Sequence, residues 1–200
     1  MLYTLKSYIK FIFTSTNEHG VHSPFVYSLL TKCIYKKQRI DKKLNSHLTQ
    51  QHHDTKHRLI SKKKQIMICK IASYFKSNEI LVVGNSKNAA TLFSLARPNS
   101  SVTAVEDFCE IQTSKQQFDL VYVENINTNN NLVALFEKTL QTTNKNCMFI
   151  FEGIYTNTAK TQVWKHLIAS QEVTVSIDGF YLGLVFLKKG QEKQHFTLRL

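Results

Sequence analysis

No stretch of this 200-residue chain approaches the ~18 consecutive apolar residues that a membrane span needs, so a soluble protein is expected. The four cysteines, Cys33, Cys69, Cys109 and Cys147, include no CxxC pair. No zinc site can be built from them. Each sits in or beside an apolar stretch, which reads as buried free thiols in a reducing cytoplasm. Acid is scarce at one end only. Residues 1–76 hold 15 Lys and Arg against 3 Asp and Glu, whereas residues 77–200 hold 11 of each. The whole net charge of +12 therefore lies in the N-terminal third.

Two readings of that imbalance stand. It is a solvated basic face, or it meets an anionic partner: nucleic acid, an acidic lipid surface or a phosphorylated substrate. Few exposed-looking aromatics accompany the basic residues for base stacking, which favours the solvated face. The first 15 residues are apolar with two lysines. They lack a small-residue cleavage site and a sustained apolar core, so no signal peptide is read there. Leu2, Leu5, Ile9 and Ile12 instead fall at helical spacing, with Lys6 and Lys10 off that face.

Further along, Ser23-Pro24 marks a helix start, with serine as cap and proline in the first turn. Residues 36–57 are polar, basic and without sustained period, a connector with a short helix at most. Its His52, His53 and His57 have ligand-like spacing but no completed ligand set. Residues 61–76 predict an amphipathic helix with Ile68, Ile71, Ala72 and Phe75 inward. The chain then divides into basic N-terminal helices with a His-rich connector (1–58) and an α/β unit (59–200).

The clearest signal lies within 79–106. An apolar run (80–83) meets Gly84 and the polar loop Asn85-Ser86-Lys87; a helical stretch follows, then a second run that stops on Glu106. A glycine lets backbone approach a ligand closely, and an acid at the next strand tip accepts both ribose hydroxyls. The unit points to an adenosine-containing cofactor, although only one glycine stands where such loops hold two or three. Strands and helices alternate onward: strands at 119–123 and 147–151, helices at 132–141 and 159–169. Two last strands, 173–177 and 181–187, are too closely linked to be other than antiparallel. The expected fold is α/β: a Rossmann-like mixed sheet, mostly parallel, closed by a C-terminal antiparallel hairpin and preceded by N-terminal helices.

That pattern resembles class I S-adenosylmethionine-dependent methyltransferases. The segment His19-Gly20-Val21-His22-Ser23-Pro24-Phe25-Val26-Tyr27 is similar to the N-terminal signature of a bacterial methyltransferase-like family, as is Ile60-Ser61-Lys62-Lys63. So is the tail, VTVSID at 173–178 through GLVF at 183–186 to KQHFTLR at 193–199. The resemblance implies S-adenosylmethionine as cofactor, held by Gly84, Asn85, Ser86 and Glu106, and a small-molecule acceptor on the side of Glu124. His22 is the candidate general base, against a bracing role for His19 and His22 beside the helix start.

The departures are also specific. The family loop reads close to Gly-Thr-Ser-x-Gly, whereas this chain has Gly84-Asn85-Ser86-Lys87-Asn88. Only 107–118 separate Glu106 from the next strand, too few for a helix and strand with their turns, which need roughly 20 residues. The family's third strand is therefore expected to be missing, which exposes the edge that ends at Glu106 to homodimerisation or to cover by the connector. Glu124 and Glu152 end strands where the family tends to have Asp. Together they could hold a divalent metal, but no third ligand is evident and solvated acids are the plainer reading. Trp164 is expected in the core, and Tyr155 in a loop over the site. Two functions follow: methyl transfer to an oxygen acceptor, or a catalytically inactive binding module with a basic N-terminal surface. Grip on RNA ranks last, because no Asn-Pro-Pro-Tyr motif for base amines is present.

Overall fold

The computed structural model describes residues 2–37, 41–51, 61–84, 87–106, 117–124, 136, 137, 139, 140, 142–188 and 190–200, the side chains of 51, 87 and 145 excepted. Asn85, Ser86, Cys109 and the histidines at 52, 53 and 57 lie outside these residues.

Seven strands form one sheet: β1 Glu79–Val83, β2 Ser101–Val105, β3 Phe118–Val123, β4 Thr143–Glu152, β5 Val175–Asp178, β6 Leu182–Phe186 and β7 Gln194–Thr197. Their order is β2-β1-β3-β4-β6-β5-β7. The first four are mutually parallel. β6 runs antiparallel to β4 and β5, which makes the expected closing hairpin. The mostly parallel mixed sheet read from the sequence is thus the architecture. β7 was not anticipated: the KQHFTLR tail adds a further parallel strand on β5.

Alternation along each strand serves two cores. Ile80, Val82, Leu120, Tyr122, Ile150 and Leu184 face helices α2 (Pro24–Leu29), α4 (Lys62–Tyr74) and α5 (Lys87–Ala96). Leu81, Val83, Val121, Val123, Phe149 and Phe151 face α6 (Thr158–Ala169), where Trp164 and Leu167 are buried. Burial on both faces explains why these strands read as continuous apolar runs. Cys33, Cys69 and Cys147 are buried free thiols; burial pushes the first two up to about 11 and about 12.

The N-terminal helices share the first core with the sheet. Ser23 caps α2 through Val26 N–H at 3.5 Å, with Pro24 in the first turn as the sequence implied. A π-helical turn, Leu30–Ile34, extends it. Lys70 of α4 donates to the carbonyls of Ile34 (2.6 Å) and Lys36 (2.8 Å), which satisfies acceptors left open at that helix end. Within the stretch read as connector, α3 (Lys42–Gln51) is a full helix: Leu44 and Leu48, one turn apart, are buried and suffice to dock it.

Helix α1 (Leu2–Thr14) forms as its spacing predicts, but the stripe chosen from the sequence is not the face that docks. Leu2, Leu5, Ile9 and Ile12 are exposed. The docked face carries Thr4, Tyr8, Phe11 and Ser15, because aromatic rings there meet Phe180 at 4.9 and 5.4 Å and Arg199 ties down the helix end.

Candidate functional site

Strand order reverses at β1, with β2 on one side and β3 on the other, and such a switch point opens a crevice at the carboxyl ends. Gly84 N–H donates to Val105 O at 2.9 Å, and Glu124 N–H to Val83 O at 2.8 Å. These bonds set Glu106, Gly84 and Glu124 side by side on adjacent tips. Gly84 has φ +146°, a conformation that favours glycine. A Cβ added there would stand 2.6 Å from Glu124 Cβ and 2.9 Å from its Oε2. Glu124 thus packs directly on the glycine from the β3 side. Glu106 is exposed at the β2 tip. Among the described residues nothing pairs with the outer edge of β2, and 107–116 lie outside the description.

The next tip along is denser. Val123 pairs with Phe151, so Glu124 and Glu152 are neighbours at the ends of β3 and β4. The buried hydroxyl of Tyr122 donates to Glu152 Oε2 at 3.0 Å. Burial pushes the Glu152 carboxyl up and Glu124 adds to the rise, while the Tyr122 bond and the charges of Lys64 and Lys160 oppose it. The two lysines come from opposite faces of the sheet, Lys64 from the first turn of α4 and Lys160 from that of α6. Burial lowers both, and Glu152 holds them up. The ammonium of Lys64 stands 3.6 Å over the Tyr181 ring.

Above this lies an aromatic layer. Tyr155 stacks on Phe180 at 5.1 Å and donates to Asp178 Oδ2 at 2.5 Å, while Asp178 Oδ1 accepts the Phe180 N–H at 2.9 Å. Tyr8 and Phe11 of α1 close over the same ring.

Gly84, Glu106 and Glu124 are therefore brought together, with Asn85 and Ser86 outside the described residues. His22 is not brought to them. It is exposed and precedes Ser23, whose hydroxyl accepts from Gln191 ahead of β7. That is the opposite margin of the sheet, four strand spacings or about 19 Å sideways from β3. Sequence reasoning missed Tyr122, Lys64, Lys160 and Asp178. Only Tyr122 carried a signal: a polar-tipped residue between two valines near the end of a strand, two before a strand-end acid. Among the described residues no group of three His, Cys, Asp or Glu comes together.

No protein-family model matches the sequence, and no curated protein matches it. Solved structures do. The SAH-bound methyltransferase PaMTH1 of Podospora anserina superposes with a TM-score of 0.59 at 10% identity, over 82% of this chain and 96% of that one. The O-methyltransferase TomG of Streptomyces achromogenes, involved in tomaymycin synthesis and solved with SAM, gives 0.52 at 13% identity, over 80% and 93%. An O-methyltransferase from Bacillus cereus in complex with SAH gives 0.50 at 15%, over 74% and 90%. At such identities the likeness is one of fold, the Rossmann-like fold of these methyltransferases.

Proposed function

We propose that this chain is an S-adenosylmethionine-dependent methyltransferase acting on an oxygen of a small-molecule acceptor. The observation that carries the reading is Gly84, held at φ +146° at the switch point with an exposed carboxylate, Glu106, on the neighbouring tip. The residues present fit the cofactor. The three atoms nearest to a Cβ built at Gly84 all belong to Glu124, on the β3 side. Glu124 is thus one wall, and the backbone at Gly84 carries no side chain of its own towards Glu106. Glu106 is the group to accept the ribose hydroxyls, and the 84–86 backbone to meet the methionine portion.

The cofactor, when bound, supplies a methyl group already activated on a sulfonium, so the protein's share is to hold the acceptor in line and manage its proton. Glu152 suits the second task. Its carboxyl is pushed up by burial, towards the range in which a carboxylate serves as base, and Tyr122 fixes its orientation. Glu124 stands beside it on the acceptor side. The rings of Tyr155, Phe180 and Tyr8 pack on one another at the neighbouring strand end.

The test is calorimetry with S-adenosylhomocysteine on the parent and on Glu106→Ala. Binding to the parent is expected, and the variant should weaken it by about tenfold to a hundredfold, the worth of hydrogen bonds to a charged acceptor. No heat at millimolar concentrations overturns the reading and leaves a methyltransferase-fold binding module in its place.

A further inference from the structure

Helix α1 carries two apolar faces where a surface helix has one. With successive residues about 100° apart, Thr4, Tyr8, Phe11 and Ser15 share one side, and that side is occupied by Phe180, Thr156 and Arg199. Leu2, Leu5, Ile9, Ile12 and Phe13 share a second side, within an arc of about 100° whose centre is turned about 120° from the first. All five are exposed, Leu2 at 70% and Phe13 at 85%. Together with Tyr8 they account for six of the nine large hydrophobic side chains that are exposed among the described residues. An apolar strip so concentrated marks a contact surface.

Charge identifies what covers it. Lys6 and Lys10 are exposed and flank the strip on one side, and no acid occurs before Glu18. A second copy of the chain would bring two N-terminal thirds together, each with an excess of +12 over residues 1–76. A nucleic acid would find four aliphatic side chains and a single exposed ring, Phe13, too few flat faces for successive bases to stack on. An apolar strip bordered by lysines matches an interface of acyl chains beneath anionic headgroups.

We propose that α1 is an interfacial helix that seats this protein on an anionic lipid surface, with Leu2, Leu5, Ile9, Ile12 and Phe13 in the acyl boundary and Lys6 and Lys10 at the headgroups. A helix of 13 residues is marginal alone in water. This one is already held by the ring contacts of Tyr8 and Phe11 and by Arg199, whose Nη2 donates to Ile12 O at 3.1 Å. It therefore meets the surface preformed, without an ordering penalty. Because the docked face rests on the Phe180 loop beside Glu152, binding would bring the carboxyl edge close to the membrane. The proposal stands independently of methyl transfer.

The experiment is sedimentation of the full chain with phosphatidylcholine vesicles, with and without phosphatidylglycerol, alongside sedimentation velocity without lipid. Partition into the anionic vesicles is expected, falling as salt screens the headgroups. L5E/I9E should lose it by roughly a hundredfold, and K6E/K10E by at least tenfold, both with unchanged circular dichroism. Equal partition into neutral vesicles overturns the assignment of an anionic surface. No partition overturns the proposal outright. So does a dimer in the absence of lipid that L5E/I9E abolishes, since a second copy would then be the occupant.

Discussion

Around β1 and β2 the carboxyl edge is thin: Ala104 and Glu106 are exposed, β2 has one described neighbour, and the turn at Gly84 rests on Glu124 alone among its nearest contacts. Around β4 and β6 it is dense. Glu152 is reached by Tyr122 and the charges of two lysines, Gly183 lies against the indole of Trp164, and three aromatic rings roof the hairpin. The difference follows from what each half must hold. A backbone turn with a solvated acid needs little support. A carboxylate kept partly out of water needs partners on every side, or it protonates.

The sharpest way to break this contrast is to remove mass from each half. Trp164 is 1% exposed, and its ring lies 2.6 Å from where a Cβ on Gly183 would stand. Trp164→Ala should cost about 3–5 kcal/mol by urea unfolding. Val102→Ala on half-buried β2 should cost about 1 kcal/mol or less. Equal losses would show that the two halves are supported alike.

The next effect tests the thin half at its one tight contact. Gly84→Ala combines a positive φ with a Cβ set against Glu124, and should cost about 1–3 kcal/mol. In G84A/E124G the contact with the Glu124 Cβ is removed and the backbone strain at 84 is not, so, measured against Glu124→Gly alone, the double variant should recover only part of the loss. Full recovery would mean that φ carries no cost and the glycine is there for packing alone.

These positions also show what a sequence exposes. The α/β order, the closing hairpin and the buried strands were legible because both-face burial writes unbroken apolar runs, as in 80–83 and 147–151. The Ser23-Pro24 cap was legible because capping is local. The docked face of α1 was not: all sides but one of that helix carry apolar residues, and only the position of Phe180 selects among them. β7 escaped because QHFT has too little alternation to announce a strand, and its pairing comes from β5. In the candidate site, Gly84, Glu106 and Glu124 could be placed by strand ends. Lys64 and Lys160 could not, since a lysine in a first helical turn looks solvated until the opposite face of the sheet is known. His22 could not be placed for the same reason, as proximity in the sequence to a helix start says nothing about which sheet margin that helix joins.

The smallest expected effect concerns the dense half and is read against pH. The folded Glu152 carboxyl lies above its ordinary value, chiefly through burial. Between the unfolded and folded values the native state holds a proton that the unfolded chain has released, so stability falls as pH rises through that interval. Glu152→Gln removes the ionisation and should flatten this decline. Asp178 and Asp119 are raised in the same sense, so the readout is the difference between variant and parent. Tyr122→Phe acts in the opposite direction: its hydroxyl favours the charged carboxylate, and without it the Glu152 value moves further up. That variant should cost about 1–2 kcal/mol near neutral pH, less in acid where Glu152 is protonated in both states, and its decline should extend to higher pH. Unfolding curves for parent, Tyr122→Phe and Glu152→Gln that run parallel from acid to neutral pH would show that Glu152 is solvated, and the dense half would lose its claim to hold a tuned base.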